Sequence, residues 1–236
     1  MDGISVKMTK YIIDTIAKPL SHIFNLSLTT RTFPEKLKIC RVVPIFKSGD
    51  PELCDNYRPI SLVKTFSKIL EKIVAEKLVY HLNENQLLYA HQYGFQKNKL
   101  TEHNLLHVIN YISSALNNNM YCIGVFLDLK KAFDVCSHEI LLGKLEKMGI
   151  QNVALKWFKS YLSDRTQQVD INGCLSSSLS IDISVIQGST LGPILFLCYV
   201  NDFWTCTNLF TILFADDTTA LAKGQNLDDL ISFVNV

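Results

Sequence analysis

The sequence predicts an α+β fold, in which amphipathic helices and antiparallel strand pairs alternate along the chain. Residues 63–83 and 101–116 place apolar side chains at a helical period. Residues 166–185 alternate in the manner of a hairpin around Asn172-Gly173, a favoured two-residue turn. A second strand pair is predicted on either side of two adjacent aspartates near the C-terminal end. The chain has 236 residues, 48% of them hydrophobic, which suffices for a sizeable core in one large domain or two lobes.

The first half of the chain is predicted to contain helices and one extended pair. Apolar residues between 5 and 28 indicate two helical pieces, with Pro19 marking a break or kink. Residues 40–46 have the character of a strand, and residues 56–62 are expected to be extended because the residue before a proline is steered away from helix. Thr101 is the candidate cap of the helix that it begins.

The second half begins with a continuous apolar run, residues 121–127, which predicts a strand buried on both faces and leads directly into Asp128. An amphipathic helix ending near Gly149 is expected next. The helix over residues 153–162 carries an aromatic stripe that is interpreted as core rather than as a base-stacking platform. A polar turn then introduces an apolar helix over 191–203, with a proline in its first turn.

Composition narrows the class of protein. The longest apolar stretch is far below the roughly 18 residues that span a bilayer, and no signal peptide opens the chain. The seven cysteines show no C-x-x-C pair, which argues against a zinc site or disulfide framework and indicates a reducing intracellular compartment.

The net charge is +1, but residues 1–115 carry 15 Lys and Arg against 10 Asp and Glu, while residues 116–236 carry 8 against 12. A basic half that binds phosphates and an acidic half that binds metal would show this asymmetry, as would chance. Asn117 to Asn119 is the candidate boundary between the lobes.

The acidic pair Asp216-Asp217 is predicted to be the tip of a hairpin. Two adjacent carboxylates repel each other unless a cation neutralises them, and such hard oxygen ligands suit Mg²⁺ or Mn²⁺. Alternatively the pair is simply a turn, since aspartate favours turns. Asp128 lies 88 residues earlier, so only a folded sheet could bring it to the same metal cluster.

Lys47 and Arg58 extend from the predicted strand and turn of the first half. They are either solvated surface residues or residues that bind a triphosphate. In the second case the lysine would act as a point charge and the arginine as a bidentate donor. Phe133, five positions after Asp128, would on its own be interpreted as core.

Together these motifs resemble the reverse transcriptases of non-LTR retrotransposons of the LINE-like or jockey-like kind. The resemblance covers essentially the whole chain and is carried by residues 38–50, 56–62, 92–95, 126–134, 187–196 and 214–217.

The resemblance implies a right-hand polymerase fold, with fingers over residues 1–115 and a palm over residues 116–236 whose antiparallel sheet packs on helices. The thumb is expected to be absent or truncated, so that the chain is a truncated retrotransposon copy with one reverse transcriptase domain. The implied activity is RNA-directed DNA polymerisation, in which deoxynucleoside triphosphates are added to a DNA primer on an RNA template by two-metal phosphoryl transfer. The implied cofactors are two Mg²⁺ or Mn²⁺ ions, and the implied compartments are cytoplasm and nucleus.

By the same resemblance, Asp128 and Asp216 are the stronger metal ligands and Asp217 is the auxiliary one. The backbone carbonyl of Leu129 would add a ligand beside the triphosphate.

The resemblance also assigns residues that bind substrate. Lys47 and Arg58 correspond to the fingers residues that grip the triphosphate. Phe133 corresponds to the aromatic residue beneath the incoming sugar, where its ring would exclude a 2′ hydroxyl. Gln187 and Gly188 correspond to the turn that approaches the template and the nascent base pair, where glycine permits close backbone contact.

Two other interpretations stay open. One is a catalytically inactive, domesticated or decayed fragment that acts as an RNA-binding or interaction protein. The other is a group II intron maturase or a viral RNA-dependent polymerase, although the former usually has tyrosine at the position of Phe214 and the latter glycine at that of Ala215. No membrane partner is expected, and the oligomeric state does not follow from the sequence.

Overall fold

The computed structural model describes residues 6–235 and confirms the α+β class. The helices are α1 (Val6–Tyr11), α2 (Ile13–Thr30), α3 (Thr65–Glu84), α4 (Thr101–Asn117), α5 (His138–Lys147), α6 (Asn152–Leu162), α7 (Gly192–Val200) and α8 (Leu227–Val234). The strands are β1 (Ile39–Phe46), β2 (Tyr57–Leu62), β3 (Tyr121–Leu127), β4 (Arg165–Ile171), β5 (Cys174–Leu175), β6 (Leu179–Ile181), β7 (Phe210–Phe214) and β8 (Asp217–Gly224). Between residues 6 and 235, no helix combines the length and apolar character that crossing a membrane requires.

The described chain forms two compact units, each built from two stretches. The first unit runs to Glu84 and resumes over Phe133–Leu195. The second unit covers Asn85–Ala132 and resumes at Phe196. Each unit therefore takes chain from both sides of residue 115.

The first unit contains a mixed sheet in the order β2-β1-β4-β5, with β6 also paired to β4. Strands β1 and β2 are antiparallel, whereas β1 and β4 are parallel. The aromatic residues of α6 form part of its core: Trp157 stacks on Tyr161 at a ring-centroid distance of 5.6 Å, and Phe33 packs edge-on against both rings. All three are almost fully buried, which confirms that the aromatic stripe is core.

The second unit contains a three-stranded antiparallel sheet in the order β3-β8-β7. Its core includes a cluster of Tyr93, Ile212 and Leu221, against which α4 packs Val108 and Tyr111. Both strands of the β7–β8 hairpin contribute to this core, so the hairpin is held by packing as well as by its own ladder.

Two sequence predictions about helix ends are wrong, the break at Pro19 and the cap at Thr101. The break between the first two helices lies at Ile12, and α2 continues through Pro19. Proline removes one helical donor and its ring crowds the preceding turn, but the other hydrogen bonds of an 18-residue helix keep it continuous. Thr101 is the first residue of α4 rather than its cap. Leu100 precedes it and donates its N–H to His103 Nδ1 at 3.2 Å.

Strand β3 is not buried on both faces as its apolar run predicted. It lies at the edge of its sheet and pairs only with β8 among the named strands. The side chain of Phe126 is 74% exposed, and Leu127 is exposed as well. An apolar run records only that the residues are hydrophobic, so it cannot tell a central strand from an edge strand.

Candidate active site

The hairpin that bears the acidic pair is confirmed, with its loop one residue earlier than predicted. Phe214 pairs with Asp217, so the two loop residues are Ala215 and Asp216, and Asp217 begins β8. Ala215 has a φ of 59°. A two-residue hairpin loop needs positive φ in at least one central residue, because only then does its twist match that of the strands.

The strand register brings the third carboxylate to the same place. Leu127 at the end of β3 pairs with Thr218 of β8. Continuing this antiparallel register by one residue places Asp128 opposite Asp217. Asp128 and Asp217 are exposed and Asp216 is half-buried. One end of a single sheet therefore gathers all three predicted metal ligands.

The electrostatics of Asp217 show that the three carboxylates interact. Partial burial raises the pKa of its carboxyl above the ordinary value, and the charges of Asp216 and Asp128 raise it further. Each cause acts against the ionised form. A bound cation would reverse the effect of both charges, because it attracts all three carboxylates.

The donor set fits a hard divalent cation, since carboxylate oxygens are the ligands that Mg²⁺ and Mn²⁺ prefer. Over residues 6–235, no group of three or more His, Cys, Asp or Glu side chains is already arranged to hold a metal ion. Asp128 and Asp217 are exposed enough to change side-chain rotamer, so ligation would require movement of the carboxylates rather than of the sheet. Leu129, which directly follows Asp128, is exposed as well.

The segment His91–Gly94 supports the hairpin, a role that sequence reasoning missed. Gln92 forms an isolated parallel bridge with Leu213 of β7. Tyr93 N–H donates to the carbonyl of Leu213 at 2.8 Å, and Leu213 N–H donates to the carbonyl of His91 at 2.9 Å. Sequence reasoning assigned no structural role to this segment. A signal was present, because Gln92 and Gly94 belong to one of the motifs that carry the resemblance.

The predicted triphosphate residues lie on the β1–β2 hairpin of the first unit. Arg58 pairs with Ile45, and Lys47 N–H donates to the carbonyl of Asn56 at 2.8 Å, which extends the ladder beyond β1. Alternation along the strand places Lys47 on the same face as Ile45, and therefore as Arg58. Both cationic residues are exposed.

The Gln187-Gly188 turn packs against the same hairpin. Ser61 N–H, in β2, donates to the carbonyl of Gln187 at 2.8 Å. Gly188 has a φ of +109°, and a Cβ on it would lie 2.5 Å from the carbonyl oxygen of Ser61. Only glycine fits this approach. The turn is thereby fixed to the strand that carries Arg58.

Glu71, in the middle of α3, holds the other side of this turn and was not singled out in the sequence. Its Oε2 accepts from Thr190 N–H at 2.8 Å, and its Oε1 accepts from Ser67 Oγ at 2.9 Å. Glu71 is fully buried, and burial raises its pKa while these hydrogen bonds and the charge of Arg165 act in the opposite direction. A charged residue in a helix is expected at the surface, so nothing in the sequence indicates that Glu71 is buried.

Phe133 is half-buried in the first unit, and its carbonyl accepts from Val185 N–H at 2.8 Å. The predicted residues thus fall into two groups, each of which lies within one unit. The first unit holds Lys47, Arg58, Phe133, Gln187 and Gly188, and the second holds Asp128, Leu129, Asp216 and Asp217.

Comparison with known proteins identifies the family. Residues 45–235 match the family described as "Reverse transcriptase (RNA-dependent DNA polymerase)". The chain is 31% identical over 235 residues to the "RNA-directed DNA polymerase from mobile element jockey" of Drosophila melanogaster, an alignment that covers 96% of this chain and 26% of that protein. It is 33% identical over 209 residues to the "Probable RNA-directed DNA polymerase from transposon BS" of the same species, covering 86% and 22%. The chain thus spans about a quarter of the length of these relatives.

A solved structure supports the fold. The apo telomerase of Candida tropicalis, truncated from its C-terminal domain, aligns with a TM-score of 0.60 and 13% identity, over 94% of this chain and 51% of that one. The chain accordingly has the right-hand polymerase fold, and its kinship with the polymerases of non-LTR retrotransposons is confirmed. The chain belongs to the reverse transcriptase (RNA-dependent DNA polymerase) family.

Proposed function

We propose that this chain is the catalytic core of an RNA-directed DNA polymerase, which adds deoxynucleotides to the 3′ end of a DNA primer on an RNA template. The observation that carries the proposal is the meeting of Asp128, Asp216 and Asp217 at one end of the β3-β8-β7 sheet. Membership of the reverse transcriptase family supports nucleotide addition as the chemistry of that cluster.

The proposed metal ligands are Asp128 and Asp216, with Asp217 as the auxiliary ligand and the Leu129 carbonyl as a further donor. Two divalent ions, Mg²⁺ or Mn²⁺, would neutralise the attacking and leaving oxygens of an in-line phosphoryl transfer when bound. The sheet would fix the backbone spacing of these residues. Asp128 directly follows the last paired residue of β3, Asp217 is paired in β8, and Asp216 lies in the hairpin loop.

The proposed substrate contacts come from the first unit. Lys47 and Arg58, exposed on one face of the β1–β2 hairpin, would bind the triphosphate, the arginine in a bidentate manner. Phe133 would lie beneath the sugar and exclude a 2′ hydroxyl. By the family resemblance, Gln187 and Gly188 would approach the template and the nascent base pair, from a turn that is fixed to Ser61 of β2.

The proposed domain division places the fingers over residues 1–115 and the palm over residues 116–236, both within one reverse transcriptase domain. The RNA template would be held mainly through backbone charge and A-form shape. A chain that copies RNA into DNA for insertion would act in cytoplasm and nucleus.

Primer extension tests the proposal. The purified chain should extend a DNA primer on an RNA template with deoxynucleotides and Mg²⁺. Asp216→Asn should lower the rate by at least about a hundredfold, because losing a ligand should cost no less than losing a residue that orients one, which costs up to about a hundredfold. The matched control is Asp182→Asn, which removes an exposed carboxylate in the first unit and should leave the rate unchanged.

Failure of the folded wild-type chain to extend any primer would contradict the proposal. Retained RNA binding in that case would favour the non-catalytic interaction protein instead.

A further inference from the structure

The backbone of Ala215, the residue before Asp216, has an unusual conformation. Its φ of 59° lies in the left-handed region, which costs a residue with a Cβ about 1–2 kcal/mol. Ala215 is nevertheless almost fully buried. A conformation of this kind persists only where surrounding groups enforce it.

The hairpin turn itself requires this conformation, and the side-chain amide of Gln92 also holds it in place. Its Oε1 accepts from Ala215 N–H at 3.0 Å and from Gly94 N–H at 2.8 Å, and its Nε2 donates to the Ala215 carbonyl at 3.4 Å. Gln92 is 2% exposed, so these bonds form away from competing water. One buried amide therefore binds both polar backbone groups of the loop residue that precedes Asp216.

Gly94 allows the two segments to approach closely enough for this contact. A Cβ on Gly94 would lie 2.2 Å from the Ala215 nitrogen and 2.7 Å from its Cα. Such distances are impossible without displacing the hairpin loop. The absence of a side chain at Gly94 is thus required by the position of Ala215.

The backbone of Gln92 is itself tied down from the loop that leads into α4. Its carbonyl accepts from Gln96 Nε2 at 2.7 Å and from Lys99 Nζ at 2.8 Å. Lys99 also donates to the carbonyl of Ala90 at 2.8 Å and lies 5.2 Å from the centroid of the Tyr93 ring. The Gln92 amide therefore starts from a fixed backbone, as a positioning group requires.

We propose that Gln92 and Gly94 are positioning residues of the metal centre, which hold Ala215 so that Asp216 is presented beside Asp128 for ligation. Neither residue touches the ion. The inference rests on the proposed function, because it assigns a support to the carboxylates of that site.

Metal affinity measured without substrates tests this inference. Mn²⁺ binding is followed by electron paramagnetic resonance in the wild type and in Gln92→Met, which keeps the length of the side chain and removes its hydrogen bonds. Gln92→Met should bind Mn²⁺ about 10- to 100-fold more weakly, the usual cost of losing a group that orients a ligand. Gly94→Ala should weaken binding in the same way, by displacing Ala215 sterically.

A further variant separates positioning from general destabilisation. Ile212→Val loosens the same core but leaves the contact between Gln92 and Ala215 intact, so it should bind Mn²⁺ normally. In primer extension, the defect of Gln92→Met should be recovered by raising the Mg²⁺ concentration.

The outcomes distinguish the inference from the proposed function. The inference would be overturned if Gln92→Met bound Mn²⁺ as tightly as the wild type, or if Ile212→Val lost as much Mn²⁺ affinity as Gln92→Met. Either result would leave the proposed function standing. No Mn²⁺ binding by the folded wild-type chain would overturn both.

Discussion

At the scale of single residues, Asp217 shows the conflict between stability and function in this site. Its raised pKa means that the folded chain binds a proton at Asp217 more readily than the unfolded chain does. The folded state therefore loses stability as the pH rises from the ordinary aspartate value of 3.8 through the raised value. At neutral pH and without metal, the carboxylate of Asp217 is repelled by those of Asp216 and Asp128.

Asp217→Asn should accordingly stabilise the metal-free chain at pH 7. We expect the unfolding midpoint to rise by about 1–2 °C, since repulsion between exposed charges is worth less than about 1 kcal/mol. Thermal unfolding followed by circular dichroism measures the change. The difference should shrink as the pH falls below the ordinary aspartate value of 3.8, because the carboxyl then becomes protonated in both states.

Added Mg²⁺ should reverse the order at pH 7, because it stabilises the wild type by binding and has one ligand fewer in the variant. A variant less stable than the wild type in metal-free buffer would contradict this account of Asp217.

The residues that sequence reasoning missed share one physical property. Gln92 and Glu71 are polar side chains that are fully buried and hydrogen-bonded to backbone N–H groups of distant segments. Their polarity predicts a surface position, and their partners lie more than 100 residues away, so no local pattern reveals them. The carboxylates were predictable because their chemistry stands in the sequence itself, at the ends of recognisable strands.

At the scale of elements, the Gln187-Gly188 turn is the part whose shape depends most on one residue. Gly188→Ala should destabilise the chain by at least about 2 kcal/mol, because a Cβ would clash with the Ser61 carbonyl in a backbone conformation that L-residues avoid. Urea unfolding measures the change in the free energy of unfolding.

Gly143→Ala is the matched control, since Gly143 lies inside α5 and a Cβ there meets nothing within 4 Å. It should stabilise the chain by about 0.5–1 kcal/mol. Equal effects of the two substitutions would show that the turn does not need its glycine.

The bounds of helices and strands were predicted better than the burial of their side chains. The bounds of β3 agree with the apolar run, and the β4–β5 hairpin turns at Asn172-Gly173 as expected. The edge position of β3 was not predicted, because burial depends on which strands and helices become neighbours. Local sequence determines the type of element, while long-range pairing determines its exposure.

At the scale of the whole molecule, pairings between distant segments could not be derived from periodicity. Strand β1 pairs in parallel with β4, and Cys40 is the partner of Gln167. Each compact unit is likewise built from two separate stretches of chain. The family resemblance supplied the expectation that Asp128 lies beside the acidic pair, and the sheet register, continued by one residue, places Asp128 opposite Asp217.

The measurement that tests the central claim most directly is metal-directed cleavage of the chain. Fe²⁺ is substituted for Mg²⁺ in the presence of ascorbate and peroxide, so that radicals formed at the bound ion cut the nearest backbone. The account predicts two cuts in the wild type, one beside Asp128 and one beside Asp216 and Asp217. Excess Mg²⁺ and the Asp216→Asn substitution should suppress both together. Cleavage elsewhere in the chain, or cuts that persist in Asp216→Asn, would contradict the claim that these carboxylates form one metal centre.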